Sequence, residues 1–539
     1  MNTKSYLFIL VLVCLAIFFP HLKLAEVNIM EARNFISARE MLLYDNWFHT
    51  TMNQLPRYEK PPLPTWLTAA SASIFGLDSL FGLRLPAALS SIFLALTFYY
   101  FCLKILNDQK QSFLASLILA TSFYIIFSGR NGQWDIFTHA FMLFAIFQLF
   151  NVFNSKLKNW KQWILIGLFL GFSSMSKGPV SFFALLLPFL IAYGIVYKYK
   201  GFKPKVMPVL TSVVIFSLAG LSWGIYIYYT DTAAAEYIAN KETASWSNRE
   251  VKPFYHYWSF FVQSGIWTFF AFIALIYPFM KKRVENLKAY RFSLFWTLSA
   301  VVLLSMVPEK KERYLLPVLI PLALNTSFYI DYLIKNAKSL STLDKSISNF
   351  GFGLIGLIGL AFPFLAYFFF DGALTGYWTS FFFSSFSLFS IGVLMFYWLR
   401  KNDYEKNFYG VILLICSIIL FAFPMAGLLF NNDLYSNIST LRDREELKEL
   451  KIYTSQIPLY FPPEYLYHFG EPVIHVKTVD DLPQTETFGL LVHDSIPADF
   501  LKEYRADYNQ RFDLNLRKAK TGIHQNRKVM DLYVLEKKK

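Results

Sequence analysis

Long apolar runs alternate with short polar loops along most of the chain, and this pattern predicts thirteen membrane-crossing helices. The runs lie at about 5–20, 81–103, 112–128, 134–153, 162–176, 179–197, 206–229, 257–280, 290–307, 314–334, 349–370, 378–399 and 408–430. Each approaches the length that crosses about 30 Å of hydrocarbon. One polar stretch breaks the rhythm, from Asn28 to Arg84 between the first two runs. Loops longer than about a dozen residues usually either work or are disordered, and this one carries two amphipathic patterns. Phe35, Ala38, Met41 and Leu42 share one helical face, with Arg33, Ser37 and Glu40 opposite. Leu63, Trp66, Leu67, Ala70 and Ile74 form a second stripe, opened by Pro61 and Pro62 and closed by Gly76. Both segments read as helices lying in the membrane interface with the apolar side down.

The tail from Asn431 to Lys539 has a different texture. Arg442–Leu450 and Pro497–Arg505 read as polar helices. Strands are expected near Lys451–Tyr453, Val473–Val476, Phe488–Val492 and Met530–Leu535. The expected organisation is a membrane domain over 1–430, including the first outer loop 21–80, and a soluble domain over 431–539. The fold class is therefore an all-α polytopic membrane protein of about 13 transmembrane helices with a small C-terminal α/β domain. No internal repeat is visible.

Composition agrees. The 539 residues are 55% hydrophobic and 16% charged, whereas soluble chains carry about a quarter charged residues. Cys14, Cys102 and Cys416 all sit inside apolar runs, so no disulfide framework is implied. The net charge of +14 does not point to nucleic acid, because the basic residues cluster in alternate loops. Lys104 and Lys110 mark one side, followed by Lys156, Lys158 and Lys161, then Lys198, Lys200, Lys203 and Lys205. Lys281, Lys282, Arg283 and Lys288 continue it, then Lys335, Lys338 and Lys345, then Arg400, Lys401 and Lys406. Basic loops stay cytoplasmic, which places the N-terminus inside and the first long loop outside. The run from Tyr6 to Phe19 lacks a small-residue cleavage site and reads as a retained helix.

The outer side then holds charge that topology does not explain: Glu31, Glu59, Lys60, Asp78, Asp135, Lys177, Lys310, Lys311 and Arg313. Ionisable groups near hydrocarbon cost roughly 2.5 to 3.5 kcal/mol each by insertion scales. A carboxylate there can take a proton from a hydroxyl, and Lys or Arg can hold a phosphate. Together they suit displacement of a phosphate leaving group by an alcohol at the outer membrane boundary. No nucleotide-binding loop appears, which favours a lipid-linked donor. Simpler roles compete: Glu59 and Lys60 pairing with each other or with Arg57, Asp135 and Arg130 as a helix cap and its partner, and Lys177 as a turn marker. The histidines show no metal-ligand spacing.

Several motifs resemble the bacterial lipid-phosphate-sugar transferases. These include the aminoarabinose transferase of lipid A and, more distantly, the protein O-mannosyltransferases. They are EARNFISAREML from Glu31, RYEKPPLPTWL from Arg57, IFG and RLPAAL, GRNGQWDIF from Gly129, SKGPV from Ser176, LSWGIYI from Leu221, VKPFYHYW from Val251 and ERYLLPVLIPLAL from Glu312. The resemblance implies a GT-C architecture, a polyprenyl-phosphate-linked sugar donor and inversion at the anomeric carbon. It implies a lipid or envelope-glycan acceptor, a monomer surrounded by membrane lipid, and residence in a bacterial cytoplasmic membrane with the active site periplasmic.

By position it makes Glu31, Glu59 and Asp135 the catalytic candidates. It gives the donor phosphate to Lys60, Arg57, Lys310, Lys311, Arg313 and Tyr314, and the substrate pocket to Arg33, Arg130 and Lys177. Asp78 falls where a relative holds a divalent metal ion. Where relatives carry an Asp before Glu31, this chain has Met30. Either Glu31, Asp135 or Glu59 then supplies the base, or the chain binds without catalysing. A transporter or flippase of lipid-linked sugar is the competing class.

Overall fold

A computed structural model describes residues 3–154, 160–199, 206–248, 250–370, 372–430, 432–444, 447, 450–456, 461–484, 487–493, 495–517 and 527–538. The predicted basic residues Lys156, Lys158, Lys200, Lys203 and Lys205 lie outside the described residues. The chain forms two compact units, Met1–Leu24 with Tyr58–Pro424, and Ala25–Arg57 with Met425–Lys539.

In the first unit, helix stands at every one of the thirteen predicted segments. Among the described residues, eight helices are long and apolar enough to span a membrane, or up to ten if two bent pairs each count once. Gln109–Ala120 meets Phe123–Gly129 at 65°, and Val206–Gly220 meets Ser222–Thr230 at 45°. Thr3–Phe18 and Phe182–Tyr197 are apolar but shorter. Hydrophobic content marks a helix well; it does not record a bend or say whether a short helix crosses.

The loop alternation is visible as ion pairs at one end of this unit. Lys110 pairs with Glu405 at 2.7 Å, Lys335 with Asp108 at 3.1 Å and with Glu285 at 3.4 Å, and Arg283 with Asp344 at 2.8 Å. Four of the loops read as cytoplasmic are tied together there.

Helices Thr342–Phe370 and Trp378–Arg400 touch through glycine. A methyl group built on Gly392 would stand 2.8 Å from the carbonyl oxygen of Gly356 and 2.9 Å from the amide nitrogen of Leu360. Small residues let helices approach this closely, and backbone atoms cannot step aside. Gly392→Leu is expected to part the two helices, costing about 1–3 kcal/mol of overpacking. A lower midpoint for thermal unfolding in detergent is the readout.

Helix Leu63–Phe75 buries its small and polar side, including Thr65, Thr68, Ala69 and Ala72, against Leu80–Leu106. Leu67, Ile74 and Phe75 are exposed. The C-terminal part of the predicted stripe, Leu67, Ala70 and Ile74, is exposed, whereas Leu63 and Trp66 are half-buried and pack against Met175 and Trp223.

The second unit is a five-stranded sheet in the order Ile474–His475, Ile452–Thr454, Phe488–Val492, Val529–Lys537, Tyr504–Asp513. The first three strands are parallel and the last two pair antiparallel. The four predicted strands are present. The expected helix 497–505 is Ala498–Glu503, and Tyr504 and Arg505 instead open a further strand, Tyr504–Asp513, whose charged, alternating sequence belongs to an exposed edge. A further helix, Pro463–Phe469, is opened by Pro462 and closed by Gly470 at φ 86°. Of the predicted polar helix 442–450, residues 445, 446, 448 and 449 lie outside the described residues; Leu447 is helical, and the 3-10 turn Ile438–Asp443 precedes it.

This unit also takes in Ala25–Arg57, which the sequence reading gave to the membrane domain. Arg39 donates to the carbonyl of Tyr467 at 3.1 Å, and Asn53 exchanges two hydrogen bonds with the backbone of Val473. Helix Ile29–Tyr44 is consequently buried on both faces. Ser37 donates to the carbonyl of Thr51 at 2.7 Å, and Glu40 accepts from the Thr51 hydroxyl and the Gln54 amide. The polar side expected to meet water is covered by the 51–56 hairpin.

His468 makes this unit acid-sensitive. Burial pushes its imidazole down to about 4, outweighing the opposing pull of Glu464. The unfolded chain, with an ordinary value of about 6.5, takes up the proton first. Stability from the neutral ring is therefore complete above about pH 6.5 and lost as pH falls toward 4, amounting to roughly 3 kcal/mol. Amide exchange in 463–469 is expected to quicken across that window, and less so in His468→Gln.

Candidate active site

The site grows from two antiparallel helices. Asp135 opens helix Asp135–Phe153 and Lys177 ends helix Trp160–Lys177. A carboxylate at a helix N-terminus and an ammonium at a C-terminus each complement the local dipole. Here the two ends meet, and Lys177 and Asp135 form an ion pair with side chains only 5% and 3% exposed. Gly178, at φ 71°, turns the chain away directly after Lys177.

The third contributor is the turn Glu312–Leu315, which leads into helix Leu316–Lys335. Tyr314 presents its ring to Lys177 at 5.4 Å and to Arg313 at 5.7 Å. Arg313 lies within electrostatic reach of both Asp135 and Lys177, and Lys60 within reach of Lys177. Asp135, Lys177, Arg313 and Tyr314 are therefore brought together, with Lys60 at the margin.

Two atoms in this cluster stand out. Asp135 Oδ2 and Arg313 Nε are buried and have no hydrogen-bond partner within the protein. Buried polar atoms are ordinarily paired, so an orphan acceptor and an orphan donor at one site point to a polar ligand.

Glu59 and Lys60 engage a segment expected to be loop, which is helical. Helix Thr232–Asn248 brings Lys241 to Glu59 at 3.2 Å and Glu242 to Lys60 at 3.0 Å. The Tyr58 hydroxyl donates to Asp231 at 2.8 Å. A signal was available: alanines at helical spacing follow Asp231, whose carboxylate accepts from the Ala234 amide as a cap does.

Lys310 and Lys311 are occupied locally. The Lys310 ammonium donates to the carbonyls of Val307 at 2.6 Å and Lys252 at 3.1 Å. Lys311 pairs with Glu309 at 2.6 Å, and its backbone is held by the Tyr257 hydroxyl. Both fix the PEKKER loop, which also bridges Glu309 to Val251. Arg130 donates to the carbonyls of Ile17 at 2.6 Å and Pro20 at 2.7 Å. It caps the end of the first helix instead of joining the acid cluster, because those carbonyls lack helical partners.

Glu31, Arg33 and Arg57 belong to the second unit. Glu31 is buried in a capping box, accepting from the Asn28 side chain at 2.9 Å. Arg57 is buried, with its backbone tied to Thr50, and Arg33 is half-buried. Asp78 is exposed, and among the described residues no group of three or more His, Cys, Asp or Glu could hold a metal ion.

This fold has a counterpart among solved structures. It matches the crystal structure of ArnT from Cupriavidus metallidurans bound to undecaprenyl phosphate, with a TM-score of 0.64 and 14% identity over 90% of this chain and 92% of that one. The apo structure of the same enzyme matches with a TM-score of 0.65. In sequence, residues 59–223 match the family described as dolichyl-phosphate-mannose-protein mannosyltransferase. The chain is 28% identical over 301 residues to an undecaprenyl phosphate-alpha-4-amino-4-deoxy-L-arabinose arabinosyl transferase of Pseudomonas fluorescens, covering 53% of this chain and 51% of the relative. A Pectobacterium atrosepticum transferase of the same description is 25% identical, covering 60% and 58%. The chain thus spans about half to three-fifths of the length of the curated relatives it matches.

Proposed function

We propose that this protein is an inverting glycosyltransferase of a bacterial inner membrane. It moves a sugar from a polyprenyl phosphate to a hydroxyl or phosphate on a lipid or envelope glycan. The carrying observation is that one cluster holds a buried acceptor on Asp135 and a buried donor on Arg313, neither with a hydrogen-bond partner in the protein. In the proposed step an acceptor hydroxyl attacks the anomeric carbon as the bond to the donor phosphate breaks. The proton passes to Asp135 and the electron pair leaves with polyprenyl phosphate. Arg313, with Lys60, meets the charge gathering on the leaving phosphate. Lys177, paired with Asp135, aims its carboxylate. Glu59 and Glu31 are the alternative bases, and the fold and relatives support the donor class. Topologically the basic end of the first unit is cytoplasmic with the N-terminus, the cluster at the other end is periplasmic, and the chain acts as a monomer.

The test uses purified full chain in lipid nanodiscs with a synthetic undecaprenyl-phosphate sugar, 4-amino-4-deoxy-L-arabinose first, and lipid A as acceptor. Release of undecaprenyl phosphate with glycosylated acceptor is the expected result. Movement of the intact donor between leaflets without release would instead identify a flippase, and binding without either would identify a non-catalytic relative.

A further inference from the structure

We propose that His139 and Ser181 are positioning residues that hold Lys177 against Asp135; the inference rests on the transferase reading for its consequence and on geometry for its substance. Lys177 is the last residue of its helix, so its place depends on the turn that follows. That turn runs through Gly178 and Pro179 to Ser181 and then enters a π-helical turn, Phe182–Leu186. Wide turns of this kind recur at functional sites.

His139 sits four residues beyond Asp135 on the same helical face. Its Nδ1 lies 3.0 Å from the Ser181 hydroxyl, and both residues are buried. One residue earlier, Thr138 donates to the carbonyl of Ser173 at 2.9 Å, and Ser173 donates to the carbonyl of Thr138 at 2.9 Å. The Thr138–Ser173 exchange joins the bodies of the two helices. The His139–Ser181 contact does something that exchange cannot, fastening the chain beyond Lys177 to the helix that carries Asp135.

A core filler is the plainer explanation for a buried histidine, but it fits poorly here. Burying a polar ring costs free energy that an apolar side chain of similar size avoids. This ring also lies within electrostatic reach of both Asp135 and Lys177. Such a placement suits a group whose hydrogen bond sets the position of the ion pair. Outer partners of this type typically change activity by about 10–100-fold in metal sites, where a ligand is oriented through its second contact.

The experiment compares wild type, Ser181→Ala, Ser181→Thr and His139→Asn as full chains in nanodiscs. Each is treated with a small amine-reactive ester, and acylation of Lys177 is read by mass spectrometry with the exposed Lys477 as internal reference. Ser181→Ala and His139→Asn are expected to raise Lys177 labelling about tenfold, and Ser181→Thr to return it toward wild type. In transfer assays the first two are expected to lower kcat about tenfold with KM for the donor changed less than about twofold. Unchanged Lys177 labelling in Ser181→Ala, or in His139→Asn should the alanine variant not fold, overturns the proposal. A fall in kcat without exposure of Lys177 does so too. If no variant, wild type included, transfers sugar while Lys177 is still unmasked, the transferase reading fails and the positioning role stands.

Discussion

Asp135→Asn is expected to reduce kcat for sugar transfer about a thousandfold. A positioned base contributes roughly 10²–10⁴, and the asparagine keeps the shape of the side chain while giving up its proton affinity. The substitution also leaves the Lys177 ammonium buried without its carboxylate, and breaking a buried pair in this way costs about 3–5 kcal/mol of stability. Thermal unfolding must therefore be measured beside the rate. Glu59→Gln and Glu31→Gln provide the contrast. Glu59 faces Lys241 on a partly exposed surface, and Glu31 is committed to the start of its own helix. Loss of rate confined to Asp135→Asn assigns the base; equal loss in Glu59→Gln would move that role to the EKPP segment.

Arg313→Gln is expected to raise KM for the polyprenyl-phosphate donor roughly 10–100-fold. A hydrogen bond to a charged group is worth about 1.5–3 kcal/mol, and the neutral amide gives up the guanidinium's charge. Lys60→Ala should act in the same direction but less strongly, because Lys60 already shares its charge with Glu242 at 3.0 Å. Lys310→Ala should register first as a loosened loop, since its ammonium serves two carbonyls. Equilibrium binding of undecaprenyl phosphate to the four proteins checks the ranking. Equal affinity for wild type and Arg313→Gln would remove Arg313 from the phosphate.

What the sequence disclosed follows from which features are local. Asp135 and Lys177 could be found because each stands at the junction of an apolar run with a polar loop, where an ionisable residue is conspicuous. Their pairing could not, since it needs two helices to be neighbours. Asn28 and Glu31 have the spacing of a capping box, and reading that box would have weakened the case for Glu31 as a base. Arg130 looked like a substrate ligand only because the carbonyls of Ile17 and Pro20, more than a hundred residues away, were out of sight. The helix that meets Glu59 and Lys60 was missed because its alanine-rich, charged sequence resembles neither a membrane run nor a conventional amphipathic face. The place of Ala25–Arg57 in the second unit was likewise hidden, as it depends on contacts with residues such as Tyr467 and Val473.

A cryo-electron microscopy structure of the full chain with undecaprenyl phosphate tests the central claim most directly. The account predicts the phosphate within hydrogen-bond distance, about 3 Å, of the Arg313 guanidinium, with Asp135 and Lys177 still paired beside it. A headgroup bound among Arg283, Lys335 and Lys110 at the opposite end of the first unit, with Arg313 untouched, would contradict it.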